Sequence, residues 1–261
     1  MTIQLLFFIT LFAIAHGVIR KIDTQIMGGK FVKKPGEVPY QVSLQRTTTL
    51  EHFCGGVIIS RHYILTAASC VNGVDVNTIS VNVGLIDVEE PYAIHLVESS
   101  HIHEDYDRTK SINDIALLKL QYPLKYSPLV RAALLTPNKT IPAGTKVVAS
   151  GFGRLWFEGP KTIRLHVVDI EIVNQDTCRN LYRNWKNISD TQICAHGTKE
   201  EKGSCEGDTG GPLILNEVLI GIDSWRYRCG DMIYPALYTH VPSYFQWIID
   251  NTECHIPVCF E

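Results

Sequence analysis

No run of lysines or arginines breaks up this chain of 261 residues, and its formal net charge is only -3. Nothing in it therefore points to nucleic acid or to a polybasic membrane patch. No CxxC pair occurs and the cysteine spacings are long, which speaks against a structural zinc site. Past the first fifteen or so residues no segment is long and apolar enough to anchor the chain in a bilayer. Internal repeats, low-complexity tracts and flexible linkers are absent as well. With 45% apolar and 20% charged residues, the composition is that of an ordinary globular protein able to bury one or two cores.

What is present begins at the N-terminus. Ile3 to Ala15, IQLLFFITLFAIA, is 13 residues with almost no polar side chain, followed by small residues through Gly17. Too short to span a membrane, it reads as a signal peptide over residues 1–17, although no Lys or Arg precedes the apolar run. The competing reading is a buried N-terminal strand or helix. Eight cysteines, at 54, 70, 178, 194, 205, 229, 254 and 259, suit an oxidising destination and suggest four disulfides, with the pairing left open by the count. Two sequons, at Asn138 and Asn187, fit a secreted, extracellular protein.

Strand signals dominate the interior. Residues 78–85 alternate polar and apolar, as do 168–172, and short apolar runs at 116–118 and 147–149 lie between Pro, Gly and Asn clusters. The pattern predicts an all-β barrel or sandwich. One helix is expected at Ser243–Asp250, after Pro242 and capped by Ser243, with Tyr244, Trp247 and Ile248 on one stripe.

Chemistry concentrates in three blocks: Cys54-Gly-Gly-Val57 with Ile64-Leu-Thr-Ala-Ala-Ser-Cys70, then Asn113-Asp-Ile-Ala-Leu-Leu118, then Cys205-Glu-Gly-Asp-Thr-Gly-Gly-Pro212. In this order and spacing they resemble the trypsin-like (chymotrypsin-fold, S1) serine proteases, whose blocks are CGG, LTAAHC, DIALL and GDSGGP. Gly28-Gly29, residues 39–44, Ser224-Trp225 and residues 238–241 add to the likeness, which covers about residues 26–252. The resemblance implies two six-stranded antiparallel β-barrels, about residues 26–140 and 141–242, with a C-terminal helix and tail over 243–261. It also implies the pairs Cys54–Cys70, Cys178–Cys194 and Cys205–Cys229. Cys254 and Cys259 remain and suit a local bridge. Neither a cofactor nor a metal is implied.

The departures carry the functional reading. Asp114 matches the family's aspartate, but Ser69 stands where the histidine belongs and Thr209 where the nucleophilic serine belongs. Imidazole takes up a proton near neutrality, with a pKa of about 6.5, whereas a serine hydroxyl cannot hold an added proton. Asp114 cannot stand in for it, being a side chain too far away. The resemblance also implies an oxyanion-hole-like turn at Gly207 and Thr209. Its specificity pocket is altered at Gly203, Arg226 and Ala236: Gly203 replaces trypsin's aspartate, and Arg226 replaces a glycine along which substrate backbone lies. Arg226 is expected to obstruct the cleft, with Glu206 as a weak partner at the rim. Ile26 resembles the mature start, after a short pro-segment at 18–25. Its freed amine would pair with Asp208, but Gln25 precedes it where Arg or Lys is needed. Left uncut, the chain would keep Asp208 near the surface.

These features point to a proteolytically inactive protease homologue, not an enzyme, that acts by binding. Among inactive relatives the chain looks most like the inactivated protease paralogues of scabies mites, related to the group 3 mite allergens. That likeness implies binding of host complement components and inhibition of the cascade, with no nucleic-acid or membrane partner. The alternatives are a residual or altered serine-type endopeptidase, and a non-catalytic cofactor or decoy in the organism's own protease cascade.

Overall fold

The computed structural model describes residues 28–138, 140–197 and 202–252. The N-terminal half supplies β1 (Lys30–Phe31), β2 (Gln41–Arg46), β3 (His52–Ile58), β4 (Tyr63–Thr66), β5 (Ile79–Val83), β6 (Ala93–Ile102) and β7 (Ala116–Leu120). The other half supplies β8 (Lys146–Gly151), β9 (His166–Ile172), β10 (Gln192–His196), β11 (Pro212–Leu215), β12 (Val218–Trp225) and β13 (Ala236–His240). Three short helices accompany them: α1 (Ala68–Val71), α2 (Gln175–Tyr182) and α3 (Phe245–Asp250).

Strands β2-β3-β4-β7-β6-β5 close into one antiparallel barrel. The second runs β9-β10-β13-β12-β11-β8 and closes through β8–β9, with β1 added outside β9. The all-β, two-barrel, six-stranded architecture is thus the observed one. The first strand of the chain nevertheless pairs with the second barrel: Lys30 faces Val167 and Phe31 faces His166. The tail makes the reverse crossing, since Tyr244 and Ile248 pack into the first barrel's core. Each half of the chain is therefore pinned to the other, which fixes the groove between the barrels.

Alternation explains the strands. In β5 the side chains of Ile79, Val81 and Val83 are 0% exposed, and each such burial contributes about 2 kcal/mol. Ser80 and Asn82, on the opposite face, are buried too, and the Ser80 hydroxyl donates to the Gln45 carbonyl (3.4 Å). In β9, Val168 and Ile170 are buried while Asp169 is exposed.

The expected C-terminal helix is present, but its start and its cap differ from the sequence reading. The tail begins as a 3₁₀ turn over Val241–Tyr244, and α3 proper starts only at Phe245. Ser243 caps nothing; its hydroxyl is bonded to His240 Nδ1 (2.9 Å). The sequence reading missed α2, whose only buried residues are Cys178 and Tyr182. The three disulfides Cys54–Cys70, Cys178–Cys194 and Cys205–Cys229 are formed. Cys254, Cys259, Ile26 and the apolar leader lie outside the described residues. Among those described, no helix is long and apolar enough to cross a membrane.

Candidate functional site

The groove between the barrels collects Ser69, Asp114 and Thr209. Ser69 lies in α1, which the Cys54–Cys70 bridge ties to β3. Asp114 precedes β7 and is 1% exposed. Its carboxylate accepts from Ser69 N–H (2.7 Å), from the Ser69 hydroxyl (3.0 Å) and, across the groove, from the Ser224 hydroxyl of β12 (2.6 Å). Burial pushes Asp114 above its ordinary pKa while these donors pull it down, Ser224 first. Tyr106, nearby, is pushed up to about 12, chiefly by burial. The aspartate keeps these donors, but a short hydroxyl, shared between Asp114 and Tyr106, occupies the place of a ring.

Thr209 sits on the glycine-rich turn. Gly207 has φ +104° and Gly210 φ +85°, and a Cβ at Gly210 would lie 2.4 Å from the Gly55 carbonyl oxygen. Both backbone positions expected to form the oxyanion-like pocket are held from the first barrel. Gly55 N–H donates to Thr209 O (2.8 Å), and His52 Nε2 donates to Gly207 O (2.9 Å).

His52 escaped the sequence reading, and it is a histidine beside this turn. Its other nitrogen, Nδ1, is engaged by the Ser43 hydroxyl (2.8 Å), and burial lowers its pKa to about 4. A ring so bonded is a neutral strut and a poor base near pH 7. His103, on the first barrel, stacks on Trp247 with centroids 5.1 Å apart, and its Nδ1 accepts from Asp105 N–H (3.2 Å).

The specificity pocket contains the larger surprise. Arg226 does point into the groove, but its partner is Asp223 of β12, not Glu206. Its side chain is 9% exposed and that of Asp223 3%. Nη2 donates to Asp223 Oδ1 and to the Thr209 hydroxyl (3.3 Å), and Nε donates to the Ser204 hydroxyl (3.2 Å). Burial opposes the charge on Arg226, but Asp223 and then Asp208 hold it firmly protonated. Gly203 and Ala236, the other two altered positions, are both buried. Asp223 carried no motif; its place three residues before Arg226 is the one signal that points to it.

Asp208 is buried, 3% exposed, contrary to the surface position expected of an uncut chain. The reason is local satisfaction: Gly153 N–H donates to Oδ1 (2.7 Å) and Cys205 N–H to Oδ2 (2.8 Å). The pairing with Ile26 lies outside the described residues. Farther along the groove, Lys186 reaches from the loop after α2 over the Trp225 ring, 4.3 Å from its centroid, and donates to the Ser111 hydroxyl of the first barrel (2.9 Å).

Among the described residues one grouping of metal-ligand types occurs, Cys205, Glu206 and Cys229, and both of its sulfurs are spent on a disulfide. Asn138 and Asn187 are both exposed. Chemically, the site offers a threonine hydroxyl set between the Arg226 guanidinium, a group that donates and never accepts, and the Asp223 carboxylate with which that guanidinium is paired. The path from hydroxyl through imidazole to aspartate that the trypsin-like proteases use has no middle member at Ser69.

The family model described as Trypsin matches residues 26–248 of the chain. Chymotrypsin-2 of Vespa crabro is 38% identical over 226 residues, covering 87% of this chain and 99% of that protein. Trypsin epsilon of Drosophila erecta is 37% identical over 238 residues, 90% of either chain. Hypodermin-B of Hypoderma lineatum is 36% identical over 239 residues, 91% of either. With two closed barrels, three family disulfides and matches of this length, the chain belongs to the trypsin family of serine proteases.

Proposed function

We propose that this chain is a secreted, proteolytically inactive serine protease homologue that acts by binding, with host complement proteins as its partners. The observation that carries inactivity is the Ser69 hydroxyl bonded to Asp114 at 3.0 Å, where an imidazole would have to sit. A hydroxyl there relays no proton from Thr209, and loss of either the nucleophile or the histidine in subtilisin costs about a millionfold in kcat. Arg226 and Lys186 support the same reading, because the groove is filled by the chain's own side chains. Secretion rests on the apolar leader and on disulfides that persist in oxidising compartments. The complement assignment rests on the likeness to the mite paralogues at the changed triad positions.

Two measurements on purified protein test this reading. Incubation with peptide libraries and a serine-directed fluorophosphonate probe is expected to give no turnover and no label at Thr209; either one overturns inactivity. A complement-lysis assay is expected to show dose-dependent protection, and unchanged lysis removes the complement assignment while leaving inactivity standing.

A further inference from the structure

In strand β6 the usual apolar-in, polar-out pattern is inverted. On β5, Val81 and Val83 face the core of the first barrel and are 0% exposed. Their cross-strand partners on β6 are His95 and Ala93, which lie on the same face. Ile94 and Leu96, the large apolar residues of this stretch, point the other way and are 57% and 48% exposed. A small side chain and a half-buried imidazole thus stand where two large apolar residues would close the core. The space left is a recess of about 390 Å³, within the range of small-molecule sites, about 300–1,000 Å³. Its apolar lining is Val83, Leu124 and Val130, all part of the barrel core. Around it stand His95, Lys125 and two exposed phenols, Tyr92 and Tyr122. None of these four side chains is hydrogen-bonded or ion-paired to another described residue. Lys125 is the one bordering residue with a full charge at pH 7, because burial lowers the pKa of His95 and keeps its ring neutral. Glu89 and Glu90 precede Tyr92 in the chain but do not border the recess.

We propose that this recess binds an amphipathic carboxylate, an apolar body such as a fatty-acid chain carrying one negative charge. The body lies on Val83, Leu124 and Val130, where each methylene taken out of water favours binding. The carboxylate meets the Lys125 ammonium, with the neutral His95 ring as a hydrogen-bond donor beside it, and a charge-assisted bond of this kind is the stronger sort. A neutral amphiphile leaves the ammonium unmatched, and a cationic one is repelled by it. The inverted strand also fits a site, because a local break in patterning marks function more often than packing. The recess shares no residue with the groove of Ser69, Asp114 and Thr209, so the inference does not rest on the reading of that groove.

Calorimetric titration of the intact protein at pH 7 with decanoate, decanol and decylamine tests this. Decanoate is expected to bind at least about fivefold more tightly than decanol, the scale of a charge-assisted bond at a half-exposed site. Decylamine is expected to bind most weakly, and decanoate to raise the Tm by linkage. Lys125→Glu changes an exposed side chain and should reverse the order, so that decylamine binds ahead of decanoate. Ala93→Leu fills the recess and should weaken all three ligands at least about tenfold, since overpacking leaves them no room. If Ala93→Leu does not fold, the order of the ligands and its reversal in Lys125→Glu decide the matter alone. No decanoate binding at millimolar concentration, equal affinity for the three amphiphiles, or an unchanged order in Lys125→Glu overturns the proposal. So does undiminished binding by a folded Ala93→Leu protein. None of these readouts depends on peptidase activity or complement, so failure here leaves the proposed function untouched.

Discussion

Asp208 lies within the glycine-rich turn and His52 is bonded to it at the Gly207 carbonyl, and the two titrate in opposite senses. Burial, with Asp223 second, raises Asp208 from its ordinary value to about 6, so the folded state holds a proton that the unfolded chain has released. Its contribution to stability is complete below about pH 4 and is lost as pH rises to about 6. Burial lowers His52 to about 4, so the unfolded chain binds a proton that the folded state refuses. That contribution runs the other way, rising between about pH 4 and 6.5. Each shift of about two units is worth about 3 kcal/mol, so the two slopes nearly cancel. Urea unfolding across pH 4 to 7 is expected to show the two halves separately. Asp208→Asn should leave stability rising with pH, and His52→Gln should leave it falling. Equal slopes in the two variants would contradict this assignment. An amine delivered to Asp208 by cleavage before Ile26 would pull its pKa back down and remove the falling component. Gly153 shows how tightly the carboxylate is housed: a Cβ there would lie 2.5 Å from Asp208 Oδ2.

Among the elements, the strands and the tail helix were legible and α2 was not, for a physical reason. Period-two patterns such as residues 168–172 read directly as β9 because one face is buried and the other wet. An eight-residue helix such as α2 buries two side chains and shows too little stripe to stand out. Its start was nonetheless written in Asn174, whose Oδ1 accepts from Thr177 N–H (3.0 Å). Asn174→Ala is expected to cost about 1 kcal/mol in urea unfolding. The loop that follows α2 matters more to the groove, since it carries Lys186 across Trp225 to Ser111. Burial draws Lys186 below its ordinary pKa, and Asp114 and Asp107 oppose that drop. A partly desolvated cation–π contact with a hydrogen bond at its far end is worth about 1–2 kcal/mol. Lys186→Ala should lose about that much stability and change the intrinsic fluorescence of Trp225. A cycle with Ser111→Ala should show the two positions to be coupled. Additive losses would mean that the strap does not join the barrels.

For the whole molecule, the motif blocks were enough to place Ser69, Asp114 and Thr209 in one groove. They are short, local in sequence, and fixed in order. What they did not reveal was the occupant of the pocket, because Asp223 lies within an ordinary strand and acquires meaning only through the arginine folded back onto it. His52 was hidden for the same reason: its partner Gly207 is 155 residues away. On the proposed reading the groove carries two separate obstacles to catalysis, a missing base and a filled pocket, and repairing one leaves the other. Ser69→His with Thr209→Ser should restore a hydroxyl and an imidazole beside Asp114, yet show no detectable hydrolysis of peptides or of activated esters. The guanidinium would still lie against the new serine and occupy the substrate's place. Adding Arg226→Gly should bring measurable ester hydrolysis, faster for substrates with a cationic side chain because Asp223 is then free to receive it. Comparable turnover in the double and triple variants would show that Arg226 does not block the groove. Turnover in the triple variant with no preference for cations would separate the unblocking from the role given to Asp223.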